Sequence, residues 1–267
     1  MTVRWPLRPR TREALLEIVS VASPLVRGRW WPLLALAVGT VPLLIGAAIL
    51  TSLHQIATGL LLGPLFWACI RDDRLGRAIG ITALVIMSHS VLAIALAAHQ
   101  PERMAAILPG SAEYWERTRH WIQTGDDPEY RIAEWFPHHI GLFLAATLVG
   151  GLSLGLVPFA LGVEQVDLMN FYVGRLIAES ESPTIAVLFG WHPWSILRGL
   201  ACTVLIFETA SQSLEWLSVR TLSTRRRRQT RWALGIGLAI ADAVTKQFFA
   251  PFVRDQLFWN LSGDASG

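Results

Sequence analysis

The sequence predicts an all-α polytopic transmembrane helix bundle of about six or seven spans, with a short helical extramembrane cap. Three observations carry this. Hydrophobic residues make up 52% of the 267 residues and charged residues 16%, against about 25% charged in an ordinary soluble domain. The mean hydropathy is +0.42. The basic residues stand in short blocks beside long apolar runs, the pattern of cytoplasmic loops in membrane proteins. So little polar surface cannot cover a water-soluble globule, and the lipid bilayer is the expected partner for the surplus.

The pI near 9.3 would suit a nucleic-acid partner. The basic residues are spread along the chain beside apolar runs, not gathered on one stripe, so no nucleic acid is expected. Two cysteines, Cys69 and Cys202, lie inside apolar runs with no CxxC or zinc spacing. They read as small buried hydrophobes.

Residues 1–29 are polar and rich in Arg, and no cleavage site follows the next apolar run, so that run is expected to be a retained span and not a signal peptide. Thr11 is placed to cap an amphipathic helix over about 12–23. Leu15, Ile18, Val19 and Ala22 share one face, and Pro24 is its expected stop. Such a helix would lie on the inner membrane surface with Arg12, Arg27 and Arg29 facing phosphates.

Residues 30–70 are almost uncharged, and as one helix they would reach about 60 Å, twice a hydrocarbon core. The run is therefore split near Thr51–Gln55 into helices at 31–50 and 55–70. Arg71-Asp72-Asp73-Arg74 reads as a solvated turn. A third span follows at about 78–98.

Residues 99–137 form the one long polar stretch, too short for a core of its own, and read as an extracytoplasmic helical loop. Ser111 is expected to cap a helix over 112–123, whose Tyr114, Trp115, Trp121 and Ile122 suit a membrane interface. Asp127-Pro128-Glu129 reads as a second helix start.

A fourth span is expected at 138–161, with Gly150, Gly151 and Gly155 suited to close helix contact. Segment 163–191 carries Glu164, Asp167, Arg175, Glu179 and Glu181 among apolar residues, and is expected to be broken, re-entrant or buried in the bundle. Clear spans follow at 195–218 and 232–250, giving three to four spans within 138–250. Residues 251–267 form a C-terminal tail.

Charge sets the orientation. The chain before Trp30 has six Arg, the 219–231 loop has six Arg and no acid, and 99–137 has four Arg against seven acidic residues. The first two are assigned to the cytoplasmic side of a plasma (inner) membrane, with the N-terminus inside.

The chemistry-bearing candidates fall into two sets. An intramembrane polar network is expected from Arg198, Glu208, Gln212, Asp242 and Lys246 on the last two clear spans, joined by Arg175 and Glu179. Charges at mid-bilayer cost about 2.5–3.5 kcal/mol or more each, so they turn inward and pair. Glu208, Gln212 and Glu215 share one helix face. The second set is histidine. His54, His99, His138, His139 and His192 stand at outer span ends, His120 in the outer loop and His89 mid-span. His138, His139 and His192 are the candidate metal or haem ligands, although no HxxxH or HExxH spacing is present. Trp191-His192-Pro193-Trp194 reads as an interfacial belt with Pro at a helix start.

The Asp242-x-x-x-Lys246-x-x-Phe249 pattern resembles the last helix of the retinal-binding rhodopsins, where a lysine forms the Schiff base. The resemblance covers one helix, and the aromatic pocket it implies is missing. Most Trp stand at span ends, and Tyr172 is the only Tyr near the bilayer. An i,i+4 Asp242–Lys246 pair is the reading the residues favour.

Three functions remain open at this stage. One is a permease-like protein using the charge network. Another is a membrane-embedded enzyme or metal- or haem-binding protein with an outer-face histidine site. The third is a non-catalytic accessory or assembly subunit, with other membrane subunits as partners. No motif names a substrate, reaction or cofactor.

Overall fold

The computed structural model describes residues 9–126, 132–220 and 223–262. The helix start expected at Asp127-Pro128-Glu129 lies outside them. Among the described residues the chain is all-helical, with eleven helices: α1 Pro9–Arg27, α2 Trp31–Ile49, α3 Leu53–Arg71, α4 Leu75–His99, α5 Pro101–Ile107, α6 Ser111–Thr124, α7 Ile132–Leu152, α8 Leu156–Glu179, α9 Pro183–Gly190, α10 Pro193–Trp216 and α11 Arg225–Ser262. Five of them (α2, α3, α4, α7 and α11) are long and apolar enough to cross a membrane. Exposed large hydrophobics such as Leu44, Leu61, Val91, Leu148 and Phe248 cover their outer surfaces, as expected of helices solvated by lipid.

Side-chain contacts fix the directions of the helices. Gly59 and Gly63 of α3 meet Ala160 and Leu156 of α8, while His54 reaches Asp167, so α3 and α8 are antiparallel. His89 of α4 also reaches Asp167, and Ala97 meets Gly174, so α4 and α8 run parallel. On α10 and α11, Arg198 meets Asp242 and Glu208 meets Arg231, an antiparallel pair. The bundle consequently has a basic face, holding Asp72, Asp73 and Arg225–Arg231, and an opposite cap face, where α5 and α6 follow α4.

Several boundaries differ from expectation. Helix α1 runs through Pro24 to Arg27, because its buried side (Val19, Ala22, Ser23 and Val26) packs on the bundle. Tertiary packing outweighs one missing backbone donor. Its arginines find protein acceptors: Arg27 grips Asp72 through two bonds of 2.6 Å, and Arg12 donates to the Ser218 carbonyl. The 138–161 stretch is not one helix. Helix α7 starts at Ile132 and stops at Leu152, Leu154 and Gly155 adopt φ of 54° and 90°, and the Gly155 N–H closes on the Gly150 carbonyl at 2.8 Å. A left-handed glycine of this kind ends a helix cheaply. The glycines before it do make close contact, since Gly150 sits against Thr209 and Ile206 and the Ser213 hydroxyl donates to the Gly151 carbonyl at 2.7 Å.

The charged 163–191 segment is interrupted, as one of its expected forms required, but only after its charged part. Helix α8 runs unbroken past Glu164, Asp167 and Arg175, and the interruption comes at 180–182, before α9. Helix α11, at 38 residues, spans about 57 Å. It projects beyond a ~30 Å hydrocarbon core, carrying Arg225–Arg231 at one end. At the other, Asn260 exchanges two side-chain bonds with the backbone of Ser182. In the cap, α6 turns Trp115, Trp121 and Ile122, read from the sequence as a face suited to a membrane interface, inward against the bundle. Trp115 packs on Tyr172 and Trp121 on His192.

Candidate functional site

A fully buried cluster of ionisable groups lies between α3, α4 and α8. Asp167 accepts from, or donates to, two histidines: its Oδ2 lies 2.9 Å from His54 Nε2, and its Oδ1 lies 2.6 Å from His89 Nε2. All three side chains are 0% exposed. Gln55 donates from Nε2 to Asp167 Oδ2 at 3.1 Å. The imidazole rings lie nearly parallel, 6.0 Å apart. His89 stands ten residues before His99 on α4, roughly 15 Å from the cap end of that helix, so the centre is deep in the bundle.

The outer ring nitrogens decide the proton inventory. His89 Nδ1 is 3.0 Å from the Gly39 carbonyl of α2, and His54 Nδ1 is 3.3 Å from the Thr51 carbonyl. A carbonyl only accepts, so each Nδ1 carries hydrogen and donates. Each Nε2 then faces a carboxylate oxygen, and each of those two contacts needs a proton of its own. Two neutral imidazoles and a carboxylate hold only the Nδ1 protons. Each of the two contacts is satisfied when a proton or a cation lies between the ring nitrogen and the carboxylate oxygen.

The close approach of backbones makes this possible. A Cβ on Gly39 would stand 2.2 Å from Ser88 Oγ and 2.3 Å from the Val85 carbonyl, so α2 and α4 touch only because Gly39 has none. That contact brings the Gly39 carbonyl to His89. Further along α8, one turn from Asp167, Asn170 is 0% exposed. Among the described residues neither its amide nitrogen nor its oxygen has a hydrogen-bond partner, nor does the buried Ser90 hydroxyl beside His89. Unsatisfied buried polar atoms are rare enough to need a reason.

The expected intramembrane network separates into distinct clusters. Glu208 belongs to the basic face. It meets Arg231 at 3.2 Å and Arg228 at 3.8 Å, and accepts from Gln212 at 3.2 Å. Asp73, in a turn that read as merely solvated, is the hub there: Arg220, Arg227 and Arg231 all close on it, while Arg228 closes on Glu215. Burial raises the Asp73 pKa, but the hydrogen bond and charge of Arg231, with Arg227 and Arg220, hold it below the usual value. Burial lowers the Arg220 pKa despite the pull of Asp73. Asp72 is held low chiefly by its hydrogen bond from Arg27.

The second cluster pairs Arg198 with Asp242 at 3.2 Å, the carboxylate being 1% exposed. It lies ten residues from Glu208 along α10, about 15 Å away. Lys246 sits with its Nζ 5.1 Å from the centre of the Trp135 ring. Arg175 and Glu179 form an i,i+4 pair on α8.

The outer-face histidines occupy separate aromatic settings. His139 packs on Trp135, and His192 lies between Trp121 and Trp194. Among the described residues, the group able to hold a metal ion is His54, His89 and Asp167, and it includes neither His139 nor His192. The side chain of His138 lies outside the described ones. Sequence reasoning noted His54, His89 and Asp167 individually and did not join them. The available signal was the presence of ionisable residues inside apolar runs.

No known protein family, curated protein or solved structure matches the chain.

Proposed function

We propose that this protein is a seven-span permease-like carrier of the inner membrane, with the His54–Asp167–His89 centre as its ion-binding site. The five apolar spans are joined in this reading by α8 and α10, each of 24 residues and thus about 36 Å long. Each buries an acidic group in the bundle, Asp167 on α8 and Glu208 on α10, while Glu164 of α8 stays exposed. The basic face faces the cytoplasm by its arginine content, so the N-terminus is cytoplasmic and the cap extracytoplasmic.

One observation carries the reading: three ionisable side chains, fully buried on three different helices, share one carboxylate. Ionisable groups at this depth mark ion or proton pathways by default. A site where helices meet also gives ion occupancy a means of coupling to helix movement. Such a carrier passes between forms open to one side and the other, and the sealed centre described above corresponds to an occluded form.

The test uses the full chain in proteoliposomes with a pH-sensitive dye inside. An imposed pH gradient or a gradient of divalent metal should drive proton movement. Asp167→Asn should abolish it while the protein still purifies as a monodisperse species. Absence of proton and metal movement in the unmodified protein under both gradients would overturn the reading.

A further inference from the structure

We propose that His54 Nε2, His89 Nε2 and the Asp167 carboxylate bind a divalent first-row transition-metal ion of the zinc type. This rests on the carrier reading for its physiological meaning, and it names the ion. Three features of the centre lead to it.

The first is the donor set. Two imidazole nitrogens and one carboxylate are borderline ligands that suit zinc and its neighbours. Magnesium and calcium need shells made almost wholly of oxygen. The second is the outer hydrogen bonding. Metal-bound histidines usually donate their other ring N–H to a carbonyl or carboxylate, which fixes the tautomer and aims the free lone pair. His89 and His54 both do this, to Gly39 and Thr51. Both lone pairs are thereby presented at Nε2, and both Nε2 atoms face Asp167.

The third feature is distance. The three ligand atoms lie within 4.8 Å of one another. Ligands about 2.1 Å from a tetrahedral zinc stand roughly 3.4 Å apart. The Nε2-to-carboxylate distances of 2.9 and 2.6 Å are shorter than that, so the Asp167 carboxylate must draw back to admit the ion.

Asn170, one turn from Asp167 on α8, and Ser90, next to His89 on α4, are buried with side-chain polar atoms that have no partner among the described residues.

The test uses the whole protein in detergent, stripped with a chelator and dialysed against zinc. About one zinc per chain should remain, as three ligands on one ion imply. His54→Ala, His89→Ala and Asp167→Asn should each lose most of it, whereas His139→Ala and His192→Ala keep it. Cobalt in place of zinc should give the intense visible bands of a four- or five-coordinate site. If a triad variant does not purify as a folded species, the cobalt spectrum and stoichiometry of the unmodified protein decide alone. Substoichiometric zinc, a spectrum of octahedral aqua-cobalt, or full retention of zinc by a folded triad variant would overturn the proposal. Proton movement that needs Asp167 without stoichiometric zinc refutes the metal site and leaves the carrier reading. Stoichiometric zinc without any ion movement does the reverse.

Discussion

Replacing Asp73 with alanine removes the hub of the basic face and tests how that face is held together. Asp73 sits in the α3–α4 turn and is closed upon by Arg220, Arg227 and Arg231, whose side chains are 4%, 66% and 7% exposed. Without it, two nearly buried guanidinium groups lose their main counter-charge. Removing one partner of a buried pair costs about 3–5 kcal/mol, because the other charge is left uncompensated. The Asp73 side chain is itself 19% exposed, Glu208 still faces Arg231, and solvent screens part of the field. The expected loss is therefore about 2–3 kcal/mol. For a chain of this size that lowers the melting temperature by about 5–10 °C, read by tryptophan fluorescence in detergent. Asp72→Ala is the internal control. It removes an ion pair whose arginine is 53% exposed, and its shift should be clearly smaller. An Asp73→Ala protein that melts within a degree or so of the unmodified one, or an Asp72→Ala protein that loses as much, would refute the reasoning. Acid offers a second readout. The folded Asp73 pKa is depressed below 3.8. Its stabilisation is thus present at neutral pH and down to about pH 4, and fades as the pH falls below that through the folded value. Asp73→Asn should remove this part of the acid sensitivity.

Two further outcomes are expected. Arg198→Ala leaves the 1% exposed Asp242 with only the charge of Lys246 beside it and should destabilise by about 2–3 kcal/mol, whereas adding Asp242→Asn to it should recover most of the loss in a thermal melt. Gly39→Ala drives a methyl into Ser88 and Val85, which pulls the Gly39 carbonyl from His89. It should weaken zinc binding at the centre about tenfold or more, as loss of such an outer partner does elsewhere. Unchanged zinc affinity in a dialysis titration would show that the α2 contact does not orient His89.

Much of the fold was legible from local properties. The positions of α2, α3, α4 and α11 follow from run length, hydropathy and the charged turns between them, and the cap follows from the long polar stretch. Proline at the first turn marks the start of α10, whereas the Gly155 turn that separates α7 from α8 fell inside a stretch read as one span. What local reading missed there is that a left-handed glycine ends a helix even inside an apolar run. It left segment 163–191 as broken, re-entrant or buried, because a charged helix in lipid has no solvent for its charges. The bundle supplies that solvent: His54 and His89 satisfy Asp167, and the helix stays whole.

The sequence by itself determined that this chain is made of apolar helices with a cap, and that its few ionisable groups must turn inward, because hydropathy and charge are properties of each segment alone. Only the tertiary structure decided which groups meet. Glu208 and Asp242 belong by depth to one expected network, yet each is claimed by a different arginine in a separate cluster. His54, His89 and Asp167 lie far apart in the chain and form one centre. The rotation of each helix about its axis and the register between helices choose those partners, and both are set by packing, such as the contact that Gly39 allows between α2 and α4.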